Sequence, residues 1–201
     1  MGVLEAGYDP APAPAGIQAV LCHPHPQYGG NRHDGVLDCL ARVLRASGVG
    51  CLRFNFRGVG GSSGTFDGGR GEIDDLLATI AWIDAEYPDD ALWLGGYSFG
   101  AHVVWQAQAR LPRTRRIVLL APPVGLMDFS AAPPACPVDV FAGDADTFVD
   151  PERLTTWPGV SAHVLPGADH FFSGQWQPLM DRIARAVTPP GRPQSTDAPS
   201  T

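Results

Sequence analysis

Gly96-Tyr97-Ser98-Phe99-Gly100 follows an apolar run and precedes a helix-period one, and this context singles out Ser98 among the hydroxyls of the chain. A nucleophilic serine on a sharp strand-to-helix turn has a strained backbone, and glycines two residues to either side avoid collision with strand and helix. The turn lifts the hydroxyl clear of the sheet at the positive end of the helix dipole. A serine attacks only when a base takes its proton. Among six histidines, His170 in GADHFF lies after the last apolar run and before the last helical one, where it can lean back over the sheet edge. His163 sits inside an apolar run, His102 in the helix after Ser98 with its ring expected to point away, and His33 has no strand before it.

The base needs an acid to orient it. GDADTFVD offers three carboxylates after the run PVDVFA, and Asp146 is preferred to Asp144 because it lies three residues past the turn glycine. Asp150, ahead of Pro151 and Glu152, reads as a helix N-cap, and Asp128 is a weaker alternative acid. The order Ser98, Asp146, His170 is that of one known nucleophile–acid–base arrangement. An oxyanion formed on attack calls for two N–H donors. Phe99, the residue after the serine, supplies one. The loop HPHPQYGG supplies the other; Pro24 and Pro26 have no N–H, so His25 comes first by position, with Gln27 and Tyr28 left open.

Other candidates fall away. Gly58-Val59-Gly60-Gly61-Ser62-Ser63 has Ser63 where a dinucleotide loop has its third glycine, and more loop follows it instead of a helix. Two histidines one residue apart in HPHP lack a third metal ligand nearby, and Trp93 and Trp105 read as core. The four cysteines Cys22, Cys39, Cys51 and Cys136 show no metal or disulfide spacing, which suits reduced thiols in a cytoplasmic protein.

The elements that position these residues are short apolar runs at 17–22, 49–56, 91–96, 116–121, 137–142 and 160–165. They alternate with helix-period segments at about 35–47, 72–87, 99–111, 150–157 and 175–187. Near-continuously apolar strands alternating with helices predict a doubly wound α/β domain, a mostly parallel sheet covered on both faces. In such sheets sites lie at the carboxyl ends of strands, and Ser98, Asp146 and His170 all follow one. Over 72–87, Ile73, Leu76, Leu77, Ile80 and Ile83 form the expected buried stripe. Residues 1–16 are read as an N-terminal lead-in, 17–187 as the folded domain, and the Pro-rich 188–201 as a disordered tail.

The chain has 201 residues, 44% of them hydrophobic and 17% charged, enough for one domain with a core of its own. A net charge of -7 argues against nucleic acid as a partner. No apolar stretch has the length of a membrane span, which predicts no membrane partner. All 14 basic residues are arginine, which excludes Schiff-base and P-loop lysine chemistry.

The motifs HPHPQYGG, LRFNFRGVGGSSGTFDGG, GYSFG, GDADTFVD and GADHFF, in this order over about residues 17–187, resemble the α/β-hydrolase superfamily. Within it they look like the small cap-less bacterial hydrolases of the dienelactone-hydrolase and esterase-like group. The resemblance implies a serine hydrolase of esters or related acyl bonds, with Ser98, Asp146 and His170 as its triad. Serine in place of the cysteine of dienelactone hydrolases argues against that particular activity. Only PPVGLMDFSAAPPAC separates the runs where the superfamily often inserts a cap, so a shallow site is expected, walled by Tyr28, Phe99, Val124 and Phe171. The substrate is then a small acyl compound, and the chemistry needs no cofactor and no metal. An acyltransferase, a peptidase and a non-catalytic binding module on the same fold are the competing readings.

Overall fold

The sheet begins earlier in the chain than its apolar runs suggest. β1 (Ala6–Asp9) pairs antiparallel with β3 (Val49–Phe54), so part of the expected lead-in is an edge strand. Glu5 fastens it further: its carbonyl accepts from Asn55 N–H and its carboxylate from Gly61 N–H. The computed structural model describes residues 2–130, 132 and 135–187, the side chain of Pro151 excepted; the tail expected at 188–201 lies outside the described residues.

β2 (Ile17–Cys22), β3, β4 (Ala91–Tyr97), β5 (Thr114–Leu120), β6 (Val138–Gly143) and β7 (Val160–Leu165) are parallel. The seven strands lie in the order β1-β3-β2-β4-β5-β6-β7, with β4 central. α1 (Gly35–Ala46) and α5 (Trp176–Val187) cover one face, where Leu37, Leu40, Leu44, Leu179 and Ile183 pack on Leu21, Val118 and Phe141. α2 (Arg70–Glu86) and α3 (Phe99–Ala107) cover the other, with Leu76, Ile80, Val103 and Trp105 against Val20, Leu94 and Ile117. α4 (Pro151–Thr155) is a single short turn capped by Asp150, whose carboxylate accepts from Glu152 and Arg153 N–H. This is a doubly wound α/β sheet with helices on both faces.

The stripe expected on α2 shifts around the helix. Leu76, Ile80 and Ile83 are buried, but Ile73 and Leu77 are only half-buried, and Glu72, Asp75 and Thr79 take the inner positions. Each polar group there has work that offsets its desolvation. Glu72 accepts from Asp67 and Gly69 N–H at the start of the helix, Asp75 holds the Arg57 guanidinium at 2.8 Å, and Thr79 Oγ1 donates to the Asp75 carbonyl. The polar contacts pin the Gly-rich loop 58–69 to α2. The segment read as a dinucleotide decoy is instead fastened to the chain just before β1, with Ser63 N–H on the Val3 carbonyl and Glu5 N–H on Ser62 Oγ.

Candidate active site

Ser98 occupies the turn between β4 and α3 with φ 54°, ψ −116°, a conformation disfavoured for any residue with a Cβ. Its N–H donates to the Leu120 carbonyl at 2.9 Å, which ties the turn to β5. A Cβ at Gly96 would collide with the Gly100 carbonyl, and one at Gly100 with the Cys22 carbonyl at the end of β2. The flanking glycines therefore let β2, β4 and the first turn of α3 close on one another.

His170 Nε2 lies 2.9 Å from Ser98 Oγ and Nδ1 lies 2.7 Å from Asp146 Oδ2. An ionised carboxylate accepts from Nδ1–H, which leaves Nε2 to accept from the serine hydroxyl. The second Asp146 oxygen accepts from Phe148 N–H at 2.8 Å. Both side chains are deep, at 8% and 0% exposure. The loop after β6 is stitched to the one before His170, with Asp144 N–H on the Leu165 carbonyl and Ala145 N–H on the Ala168 carbonyl. The Tyr97 hydroxyl donates to the His170 carbonyl at 3.1 Å, bracing the imidazole loop against the residue before the serine.

The other acids are occupied elsewhere. Asp144 accepts from Gly167 N–H, Asp150 caps α4, and Asp128 accepts from Ser130 N–H. Among the histidines, His163 pairs with Asp139, and His102 lies between Phe99 and Phe129 with Nε2 3.4 Å from Gln106. His23 is buried; its Nδ1–H donates to the Pro24 carbonyl and its Nε2 accepts from Phe56 N–H. Burial lowers its pKa to about 4, so it stays neutral.

The loop after β2 distinguishes the N–H candidates. Gln27 N–H donates to His25 Nδ1 and Tyr28 N–H to the His25 carbonyl. The amides of His25 and of Phe99 have no acceptor among the described residues, and both residues line the same cleft as Ser98. The His25 ring packs against Tyr28, Phe66 and Phe99, which fixes the loop, and burial lowers its pKa.

That cleft holds about 540 Å³ and its walls are chiefly apolar. Tyr28, Phe99 and Phe171 line it as expected, but Val124 does not. Val124 N–H closes a tight turn on the Pro122 carbonyl, and its side chain is only 3% exposed, facing the core and a second, smaller cavity. Leu126, Met127 and Phe148 take its place in the wall. Asp34, the N-cap of α1, also lines the cleft, although nothing in the sequence singled it out. Exposed apolar side chains gather at the mouth: Tyr28, Leu126, Phe148 and Phe171, with Trp176 next to them. Among the described residues, no group of three His, Cys, Asp or Glu side chains could hold a metal ion.

A seven-stranded sheet with a serine, imidazole and carboxylate at its carboxyl edge defines an α/β serine hydrolase. A family model described as serine aminopeptidase, S33, matches residues 18–138, and the chain belongs to that family within the α/β-hydrolase superfamily. An uncharacterised protein of Rickettsia prowazekii is 35% identical over 187 residues, 85% of this chain and 78% of that one. An α/β serine hydrolase without a lid from Xanthomonas campestris matches with TM-score 0.87 and 39% identity, over 94% of this chain and 91% of the other. An α/β serine hydrolase homologue from Coxiella burnetii matches with TM-score 0.88 and 33% identity, over 92% of each chain. Among the described residues, no helix is long and apolar enough to cross a membrane.

Proposed function

We propose that this protein is a serine esterase that cleaves small carboxylic esters through an acyl-enzyme. One observation carries the reading: the continuous contact from Ser98 Oγ through His170 to Asp146, open to a largely apolar cleft. His170 Nε2 takes the serine proton as Oγ attacks the ester carbon, and Asp146 stabilises the imidazolium that forms. The free amides of Phe99 and His25 receive the developing oxyanion. The imidazolium then protonates the departing alcohol, and a water activated by the same nitrogen hydrolyses the acyl-serine.

The name of the matching family favours a peptidase as the second reading. Product analysis on matched ester and amide substrates separates the two. A reducing compartment, the cytoplasm, fits four free thiols, with Cys51 pushed up to about 12 by burial. The first test is covalent labelling by a fluorophosphonate probe, expected in the wild type and lost in Ser98→Ala. Labelling that survives the substitution overturns the nucleophile. Along a p-nitrophenyl ester series, each buried methylene should add about 0.8 kcal/mol, roughly fourfold in kcat/KM. The gain should stop beyond butyryl, where the chain leaves so open a cleft; steady gain to dodecanoyl would overturn the small-acyl assignment.

A further inference from the structure

Asp34 does more than cap α1. Its Oδ1 accepts from both Val36 N–H at 2.9 Å and Leu37 N–H at 3.0 Å. Its Oδ2 makes no hydrogen bond or ion pair among the described residues. A cap needs only one oxygen, so the second is spare. The residue lines the cleft with Ser98 and His170, and no other Asp, Glu, Lys or Arg does so among the described residues.

Aromatic residues line the same cleft as this carboxylate. Tyr28, Tyr97 and Phe171 share the cleft wall with it. The Trp176 ring packs over the neighbouring Gly35, where a Cβ would sit 2.7 Å from it, and its Nε1–H donates to the Phe171 carbonyl. A carboxylate in a cleft that aromatic residues also line is the chemistry that recognises an ammonium or quaternary nitrogen. The N-terminus of α1 opposes this with about half a positive charge, and the full negative charge of Asp34 outweighs it. Partial burial raises the Asp34 pKa, the mark of a carboxylate stripped of some of its water, which an incoming cation would compensate.

We propose that Asp34 and the aromatic side chains around it form a cation subsite, so that the enzyme prefers esters bearing a positively charged amine over their neutral and anionic isosteres. The inference rests on the esterase reading and specifies the substrate class of that same site. Asp34→Asn isolates the charge, because asparagine caps a helix as well as aspartate does.

The experiment measures kcat/KM for butyrylcholine and for its neutral isostere 3,3-dimethylbutyl butyrate. The wild type should favour the cation by about fivefold at low salt, as one half-exposed ion pair plus a cation–π contact supplies. In Asp34→Asn the ratio should fall to about one. Equal ratios in the two proteins overturn the subsite. Binding of benzyltrimethylammonium to Ser98→Ala, with and without Asp34→Asn, tests it apart from turnover, with an expected fivefold rise in Kd. If the wild type turns over neither ester but Asp34→Asn weakens that binding, the esterase reading fails and the subsite stands.

Discussion

Two carboxylate–imidazole pairs, each spanning 24 residues of chain, stand in one region of the sheet and differ in nearly everything but composition. Asp139 on β6 meets His163 on β7 at 3.0 Å; Asp146 past the end of β6 meets His170 past the end of β7 at 2.7 Å. In the inner pair, Arg116 also donates to Asp139 and reaches on to the Ala186 carbonyl, while the His163 ring stacks on Phe141 at 4.5 Å. The carboxylate is shared with a permanent cation, and the imidazole has no nucleophile to serve. In the outer pair, the carboxylate is held only by Phe148 N–H and the imidazole, whose far nitrogen faces Ser98. What separates a clamp from a relay is what the second oxygen and the second nitrogen meet.

The widest gap between the pairs should appear on removing each imidazole. His170→Ala is expected to lower kcat by about six decades, the scale of losing a triad base. His163→Ala should stay within a few-fold, and comparable losses in both variants would erase the distinction. Asp146→Asn should cost about four decades by favouring the wrong imidazole tautomer, whereas Asp139→Asn should leave kcat nearly intact.

Smaller effects test the supports of the outer pair. His25 has φ −56°, compatible with proline, so His25→Pro deletes the proposed oxyanion N–H and His25→Ala keeps it. The proline variant should be slower than the alanine one by about 10²–10³ in kcat; equal rates would move the second donor elsewhere. His23, an imidazole with no carboxylate partner, contributes to the pH response of stability. Its folded pKa is depressed to about 4 from 6.5, so the unfolded chain binds the extra proton between these values. Stability attributable to His23 is therefore full above pH 6.5 and lost as pH falls toward 4, on the order of 3 kcal/mol. Urea midpoints at pH 7 and 4.5 should diverge less in His23→Gln than in the wild type, and an equal drop would remove His23 as the cause. Last, Asp139→Asn takes the carboxylate charge from a half-buried guanidinium that keeps the Ala186 carbonyl, and should cost about 2 kcal/mol of stability, read as a lower Tm.

Ser98 and the strands around it were legible because steric rules tie glycine spacing to a strand–helix junction. β1 was not: Ala6-Gly7-Tyr8-Asp9 has no apolar run, and its pairing is decided by the open edge of β3. The stripe on α2 shifted because Asp75 turns inward to Arg57, far back in the chain, and Glu72 to the amides just before its own helix, which outweighs periodicity. Val124 was misplaced and Leu126 missed for one reason. The turn after Pro122 sets which side chains face inward, and nothing in PPVGLM encodes its direction. Asp34 was missed altogether, since the cleft it lines is built from elements far apart in the chain.

The seating of Trp176 has an optical consequence. It is 48% exposed, and it lies beside the wall of the cleft, hydrogen-bonded to Phe171 and pressed on Gly35. Trp93 and Trp105 are buried in the two cores, and Trp82 lies with Tyr8 and Tyr87 beside β1. An occupant of the cleft that dehydrates this one indole should shift the emission to the blue without any added dye. Such a signal would turn every ligand, substrate or not, into something that can be titrated by its fluorescence.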